Sequence, residues 1–182
     1  MRPVNAMLRA IVAVISGLLV LSVDGSEKAS TCDQLVPAIA MKSATRGSPR
    51  WSLVQLSDLS PDDKEIWSKE YGRACPSVAK ADFDGSGRAQ MAVLLKSASR
   101  KRVRLSYLVE SGGHYEPSIL FEGDVANLPV IRVGKPGIYK ESQSRDRSIM
   151  VRTPTILLET IEAGGSAYYF EDGQAKNIVF SE

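Results

Sequence analysis

Five residues near the middle of the chain carry oxygen atoms at alternating positions, the spacing that a loop around a metal ion requires. They are Asp82, Asp84, Ser86, Arg88 through its carbonyl, and Gln90. Hard cations such as Ca²⁺ take oxygen ligands of this kind, and glycines allow the sharp turn. Because only two of the five supply a carboxylate, we expect weak binding, with a dissociation constant on the order of 10⁻⁴ to 10⁻³ M. The sequence Asp-Gly-Ser-Gly also suits an ordinary tight turn between two strands, so that alternative stays open.

The segment around this loop, residues 78–95 (VAKADFDGSGRAQMAVLL), resembles a single FG-GAP or VCBS repeat, the calcium-loop unit of integrin-like propellers and of many exported bacterial proteins. The matching features are a strand that leads into Asp-x-Asp-Gly-x-Gly and an apolar strand directly after it. The resemblance implies a β-rich, exported, non-catalytic protein. The chain departs from the family pattern at Ser86, where an acidic or amide group is usual, and at Gln90, where a second Asp is usual.

Two later glycine-rich segments, 134–139 and 164–173, are similar to uncharacterised small exported bacterial proteins that carry one such acidic loop. Proteins with this pattern have no assigned chemistry. This second resemblance therefore bears on the fold more than on the function.

The residue types and motifs of the sequence give little support for an enzyme. His114 is the only histidine, so a Ser-His-Asp or Cys-His mechanism would have to use it, and it lies in a glycine-rich turn. The chain has no Gly-x-Ser-x-Gly nucleophile elbow. Glu110, Glu116, Glu122 and Glu159 lie on or near predicted strands, which leaves a paired-carboxylate hydrolase open but is equally typical of solvent-facing strand positions. We predict that the protein is not an enzyme.

Three short segments indicate surfaces for a partner. Residues 111–115 (SGGHY) resemble the Ser-Gly-x-x-Tyr motif of bacterial periplasmic lysozyme inhibitors, and they suit a hairpin tip equally well. Residues 100–104 (RKRVR) form a basic cluster, typical either of a solvated sheet edge or of a docking patch for an acidic partner. Tyr168, Tyr169 and Phe170 alternate along a strand, so they are either an exposed interface anchor or core.

Cys32 and Cys75 are the only two cysteines. In an oxidising compartment an isolated pair most simply forms a disulfide, with free buried thiols as the alternative. No Cys or His spacing typical of a metal site accompanies them. Closing a loop of ~40 residues stabilises a fold by about 3 to 4 kcal/mol in the chain-entropy model.

Residues 1–25 have the outline of a secretory signal peptide. Two arginines precede an apolar run from 10 to 23, which is shorter than the ~20 residues of a membrane span, and small residues follow it. We place cleavage after Gly25 and expect a periplasmic or secreted product, residues 26–182, that forms one domain. This product has 21 basic and 20 acidic residues, which gives no reason to expect nucleic acid or a membrane as partner.

The elements that must position the acidic loop are mostly strands. Helical patterns cover 33–44 and 60–71, and residues 51–56 suit either a strand or an extended loop. Short apolar runs between glycine turns predict strands at 77–82, 90–97, 102–110, 114–121, 130–133, 155–162, 166–171 and 175–180. Residues 145–152 are predicted to be an exposed loop. We predict an α+β fold, mainly an antiparallel β meander with two short N-terminal helices.

These patterns together predict a periplasmic or secreted, non-catalytic binding protein with a weak Ca²⁺ loop and an unidentified protein partner. The alternative is a periplasmic immunity or inhibitor protein that blocks a hydrolase, either a lysozyme or a toxin. A hydrolase is the lesser alternative.

Overall fold

The computed structural model describes residues 32–142 and 148–180, so the predicted signal peptide (1–25) lies outside the described residues. The helices are α1 (Ala38–Thr45) and α2 (Pro61–Tyr71), with 3-10 turns at Cys32–Leu35 and Leu56–Asp58. The strands are β1 (Trp51–Leu53), β2 (Val78–Ala81), β3 (Gln90–Ser97), β4 (Arg102–Ser111), β5 (His114–Asp124), β6 (Val130–Gly134), β7 (Gly137–Lys140), β8 (Ser148–Val151), β9 (Thr155–Thr160), β10 (Gly164–Glu171) and β11 (Gln174–Phe180).

Within these two ranges the strands form three antiparallel sheets. In the first, β3, β4 and β5 follow one another, and β1 and β2 share the other edge of β3. There β2 pairs with residues 90–93 and β1 with residues 95–97. The second sheet has the order β11-β10-β9-β6, and β7 and β8 form a separate two-stranded ribbon.

The predicted α+β class is wrong, because the described residues form mostly antiparallel sheets with a small helical part. The helices are too short to make a layer of their own: α2 buries only Trp67, and the main core lies between two sheets. The single meander is also wrong, since the chain leaves β6, forms the ribbon, and returns to pair β9 with β6. The predicted 33–44 helix begins late, at Ala38, because Pro37 is tolerated only at a helix start and here is the N-cap residue.

The core is layered. Between the first and second sheets lie fully buried side chains from both, including Phe83, Leu94 and Ile156. Helix α1 covers the outer face of the first sheet, where Val93 and Leu95 are buried. The ribbon covers part of the outer face of the second sheet. Strand β3 is therefore buried on both faces, which explains why its sequence is a continuous apolar run.

The predicted disulfide is confirmed: Cys32 and Cys75 are bonded, with their Cα atoms 5.3 Å apart. Cys32 lies in the first 3-10 turn and is 3% exposed. The bond fixes the N-terminal turn beside the start of the first sheet, where Ser77 donates its N–H to the Cys75 sulfur.

Candidate functional site

The acidic loop, residues 82–90, joins β2 to β3 at one end of the first sheet. The two strands pair as far as Ala81 and Gln90, so the loop is closed at its base. Gly85 and Gly87 have φ values of +73° and +79°, a region that favours glycine. A Cβ atom on Gly85 would lie 3.2 Å from the Thr153 methyl group, so the loop also packs against the segment after β8.

Backbone N–H groups of the loop bind its own carboxylates. Gly87 donates its N–H to Asp82 Oδ2 at 2.9 Å, and Ser86 donates its N–H to Asp84 Oδ1 at 2.9 Å. Burial would raise the pKa of the Asp84 carboxyl, but hydrogen bonds from Ser86 and Gln90 outweigh burial and lower the pKa below its usual value. Asp84 is therefore held in its charged form.

Gln90 closes the loop from the strand side. It is 4% exposed. Its Oε1 accepts the Phe83 N–H at 2.8 Å, and its Nε2 donates to Asp84 Oδ1 at 2.6 Å and to Ser86 Oγ at 3.0 Å. The amide oxygen therefore faces the backbone, and the amide nitrogen faces the loop.

Four of the five predicted ligand residues, Asp82, Asp84, Ser86 and Gln90, are joined by the hydrogen bonds of the loop. Arg88 is predicted to contribute its carbonyl, and that part of the prediction stays open; the residue is exposed and lines a neighbouring cleft of about 300 Å³. The Gln90 oxygen accepts the Phe83 N–H, so in this arrangement it does not face the loop as the prediction requires. Calcium binding at this loop stays a prediction. Among the described residues, no group of three or more His, Cys, Asp or Glu side chains could hold a metal ion.

Three buried polar atoms near the loop have no hydrogen-bond partner among the described residues: Asp82 Oδ1, Tyr107 Oη and Thr153 Oγ1. Tyr107 is 4% exposed and contacts Phe83 edge to face, with ring centroids 6.3 Å apart. Burial raises the pKa of the Tyr107 hydroxyl, and the negative charges of Asp84 and Asp82 raise it further. Burial and these charges therefore keep the Tyr107 hydroxyl neutral.

The predicted basic cluster at 100–104 is largely neutralised by its neighbours. Arg100 forms an ion pair with Asp58 at 3.1 Å, and Arg102 and Arg104 pair with Glu122 at 3.2 and 2.7 Å. This pattern favours a structural sheet edge over a docking patch.

Residues 111–115 form the tip of the β4–β5 hairpin. Ser111 pairs with His114, and the two residues between them, Gly112 and Gly113, have φ values of +58° and +81°. A two-residue hairpin turn with two positive φ angles requires such residues. The glycines are thus explained by the turn alone.

The aromatic segment of β10 is core. Tyr168 and Tyr169 are each 7% exposed, and the Phe170 ring lies 4.4 Å from the Tyr107 ring. Nearby, Glu159 is buried in a two-pronged ion pair with Arg132, at 2.6 and 2.7 Å. The Tyr107–Phe170 contact thus links the two sheets, and the Arg132–Glu159 pair links β6 to β9 within the second sheet.

Among the residues that the structure describes, the most exposed large apolar side chains lie on the ribbon, a feature that the sequence patterns do not predict. Ile138 and Met150 are each 62% exposed, and they are cross-strand neighbours on its outer face. Tyr139 and Ile149, on the inner face, pack on the second sheet. The alternation Ile138-Tyr139-Lys140 was the available signal, but it is too short to distinguish from a loop.

Cations border this apolar pair. Lys140 lies two positions after Ile138 on the same outer face, and Arg152 follows Met150 at the other end. Lys135, Lys140 and Arg152 are exposed and form no ion pair with any residue of the described ranges. Residues 132–152 contain six basic and two acidic residues, an excess larger than the net charge of +2 of the entire chain.

None of the helices within residues 32–142 and 148–180 is long and apolar enough to cross a membrane. No protein-family model matches the chain, and no curated protein and no solved structure matches it either. The resemblance to an FG-GAP or VCBS repeat is neither supported nor contradicted by these comparisons, and it stays a prediction.

Proposed function

We propose that this chain is an exported, non-catalytic binding protein that docks an acidic protein partner on the outer face of the β7–β8 ribbon. We define this docking surface as Ile138, Met150, Lys135, Lys140 and Arg152. The observation that carries the proposal is the exposed Ile138–Met150 pair, because two adjacent apolar side chains with most of their surface in water gain free energy when a partner covers them.

The position of the pair supports a role in binding over a role in folding. The ribbon buries its inner face on the second sheet, and the Tyr139 hydroxyl donates to the Lys135 carbonyl at 2.7 Å and bonds with the Thr155 hydroxyl at 2.9 Å. Ile138 and Met150 lie on the outer face of the ribbon. They take no part in the contacts that attach the ribbon to the second sheet.

The charge around the pair supports an acidic partner. Exposed cations stand at both ends of the apolar pair, and they are free of ion pairs with described residues. A partner with carboxylates around an apolar contact would be steered to this surface and would bind less tightly at high salt. Nucleic acid is not proposed, because the sequence of the exported product carries nearly balanced charge.

The disulfide supports export. A bond between Cys32 and Cys75 is typical of an oxidising compartment, and it agrees with the proposed signal peptide. Both observations support the proposal that the protein acts in the periplasm or outside the cell.

Affinity capture tests the proposal. Residues 26–182 with a tag are used to capture proteins from the extracytoplasmic fraction of the source cells, beside an Ile138→Ser/Met150→Ser variant. A Leu35→Ser/Ile39→Ser variant is the matched control, since these apolar side chains are 41% and 44% exposed at another place. We expect one protein to be retained by the wild type and the control, and its purified form to bind the ribbon variant roughly 10- to 100-fold more weakly. Equal binding to all three baits would contradict the proposal.

An inhibitor or immunity protein against a hydrolase is a second proposal, favoured by the same surface. Glycosidases use paired carboxylates in their active sites, so their clefts present negative charge. A cationic ribbon with an apolar pair at its centre is complementary to such a cleft. If the captured partner is a hydrolase, the wild-type protein should reduce its activity and the Ile138→Ser/Met150→Ser variant should not.

A further inference from the structure

The side chain of Gln90 has only one orientation that satisfies its neighbours. The Phe83 N–H is a donor and requires the amide oxygen, at 2.8 Å. Turning the amide over would place its NH₂ group against this N–H, and it would set the amide oxygen against Asp84 Oδ1, where Gln90 now donates at 2.6 Å. The NH₂ group must therefore face the loop.

In a loop that binds a cation, the oxygens converge on the ion. Here Asp84 Oδ1 and Ser86 Oγ converge on Gln90 Nε2 instead. An amide nitrogen cannot serve as a ligand for Ca²⁺, because its hydrogens point at the oxygens and it has no acceptor capacity. From this geometry we propose that the Gln90 amide replaces a metal ion in the acidic loop, which keeps its fold without any divalent cation.

Gln90→Glu tests the proposal most sharply, because it preserves shape and exchanges one donor group for an acceptor. One carboxylate oxygen can still accept the Phe83 N–H, while the other faces Asp84 across 2.6 Å with no proton between them. In a chelator we expect the melting temperature to fall by about 4 to 10 °C. Millimolar Ca²⁺ should recover about 3 to 6 °C, since the loop then has a third carboxylate and an ion to hold.

Gln55→Glu is the matched control. The Gln55 oxygen accepts the Cys32 N–H at 3.1 Å, and its nitrogen donates to Asp33 at 3.2 Å, so the chemical change is the same. Its contact with Asp33 is exposed, and we expect a small loss of stability that Ca²⁺ does not alter.

The wild-type protein gives a test that requires no variant. We expect Ca²⁺ to shift its melting temperature by less than about one degree. In NMR spectra the two Gln90 Nε2 protons should exchange slowly with water and keep their positions when Ca²⁺ is added. A wild-type melting temperature that rises with Ca²⁺, with displaced Gln90 signals, would overturn the proposal, and so would a Gln90→Glu variant as stable in chelator as the wild type.

Discussion

At the scale of single residues, the least expected feature is the group of polar atoms enclosed beside the acidic loop. Asp82 Oδ1, Tyr107 Oη and Thr153 Oγ1 are buried and have no partner among the described residues. A buried polar group without a hydrogen bond costs about 1 to 3 kcal/mol. For Tyr107, the contacts of its ring with Phe83 and Phe170 offset the free-energy cost of burying the hydroxyl.

Tyr107→Phe follows from this view. The variant keeps both ring contacts and removes only the hydroxyl, so we expect the free energy of unfolding to stay the same or to rise by up to about 1 kcal/mol. Tyr139→Phe is the control, because its hydroxyl makes two hydrogen bonds, and it should lose about 1 to 2 kcal/mol. Urea denaturation measures both. An equal loss in the two variants would show that Tyr107 binds a water or an ion.

Residue types predicted the place of the site better than its chemistry. The spacing of Asp82, Asp84 and Ser86 indicated a tight acidic loop between two strands, and the structure has one there. The orientation of the Gln90 amide could not be predicted, because it depends on the backbone conformation of the loop. That conformation directs the Phe83 N–H at the Gln90 oxygen. A glutamine offers an oxygen and an N–H group, and only its surroundings decide between them.

At the scale of elements, the disulfide connects the N-terminal turn to the sheet. Replacing both cysteines, Cys32→Ser with Cys75→Ser, opens a loop with a sequence separation of 43 residues. We expect the unfolding free energy to fall by about 4 kcal/mol in the chain-entropy model, and the melting temperature by roughly 8 to 16 °C. Calorimetry of the variant and the wild type measures the difference. A loss below about 1 kcal/mol would mean that the turn holds its place without the bond.

Elements with strong local signals were predicted well. Strand β3 has the predicted bounds, since burial on both faces makes it a continuous apolar run between polar turns, and α2 begins after the Ser60 cap as expected. The ribbon strands are not predicted, since the polar residues before β8 favour a loop. The single meander is wrong for another reason, because the pairing of β9 with β6 across the ribbon is long-range and leaves no local pattern. The α+β class is wrong because the two helical patterns are short and the rest of the described residues form mostly sheets.

At the scale of the whole molecule, stacked layers enclose the core, and the most exposed large apolar side chains of the described residues lie on the outermost layer, the ribbon. Helix α1, the two large sheets and the ribbon lie in succession, and each interface between them is buried. Only the outer face of the ribbon combines highly exposed apolar side chains with unpaired cations among the described residues. The binding role that we propose therefore belongs to this end of the stack, and we propose that the acidic loop supports the fold.

Site-specific photocrosslinking in the source cells tests this central claim most directly. A photoreactive phenylalanine analogue replaces Met150 in one variant and Ile39 in the control, where an exposed apolar side chain lies on α1. After irradiation we predict one crosslinked product of defined mass from position 150 and none from position 39, with a yield that falls as salt is raised. A product from position 39 alone, or none from position 150, would contradict the assignment of the ribbon as the binding surface.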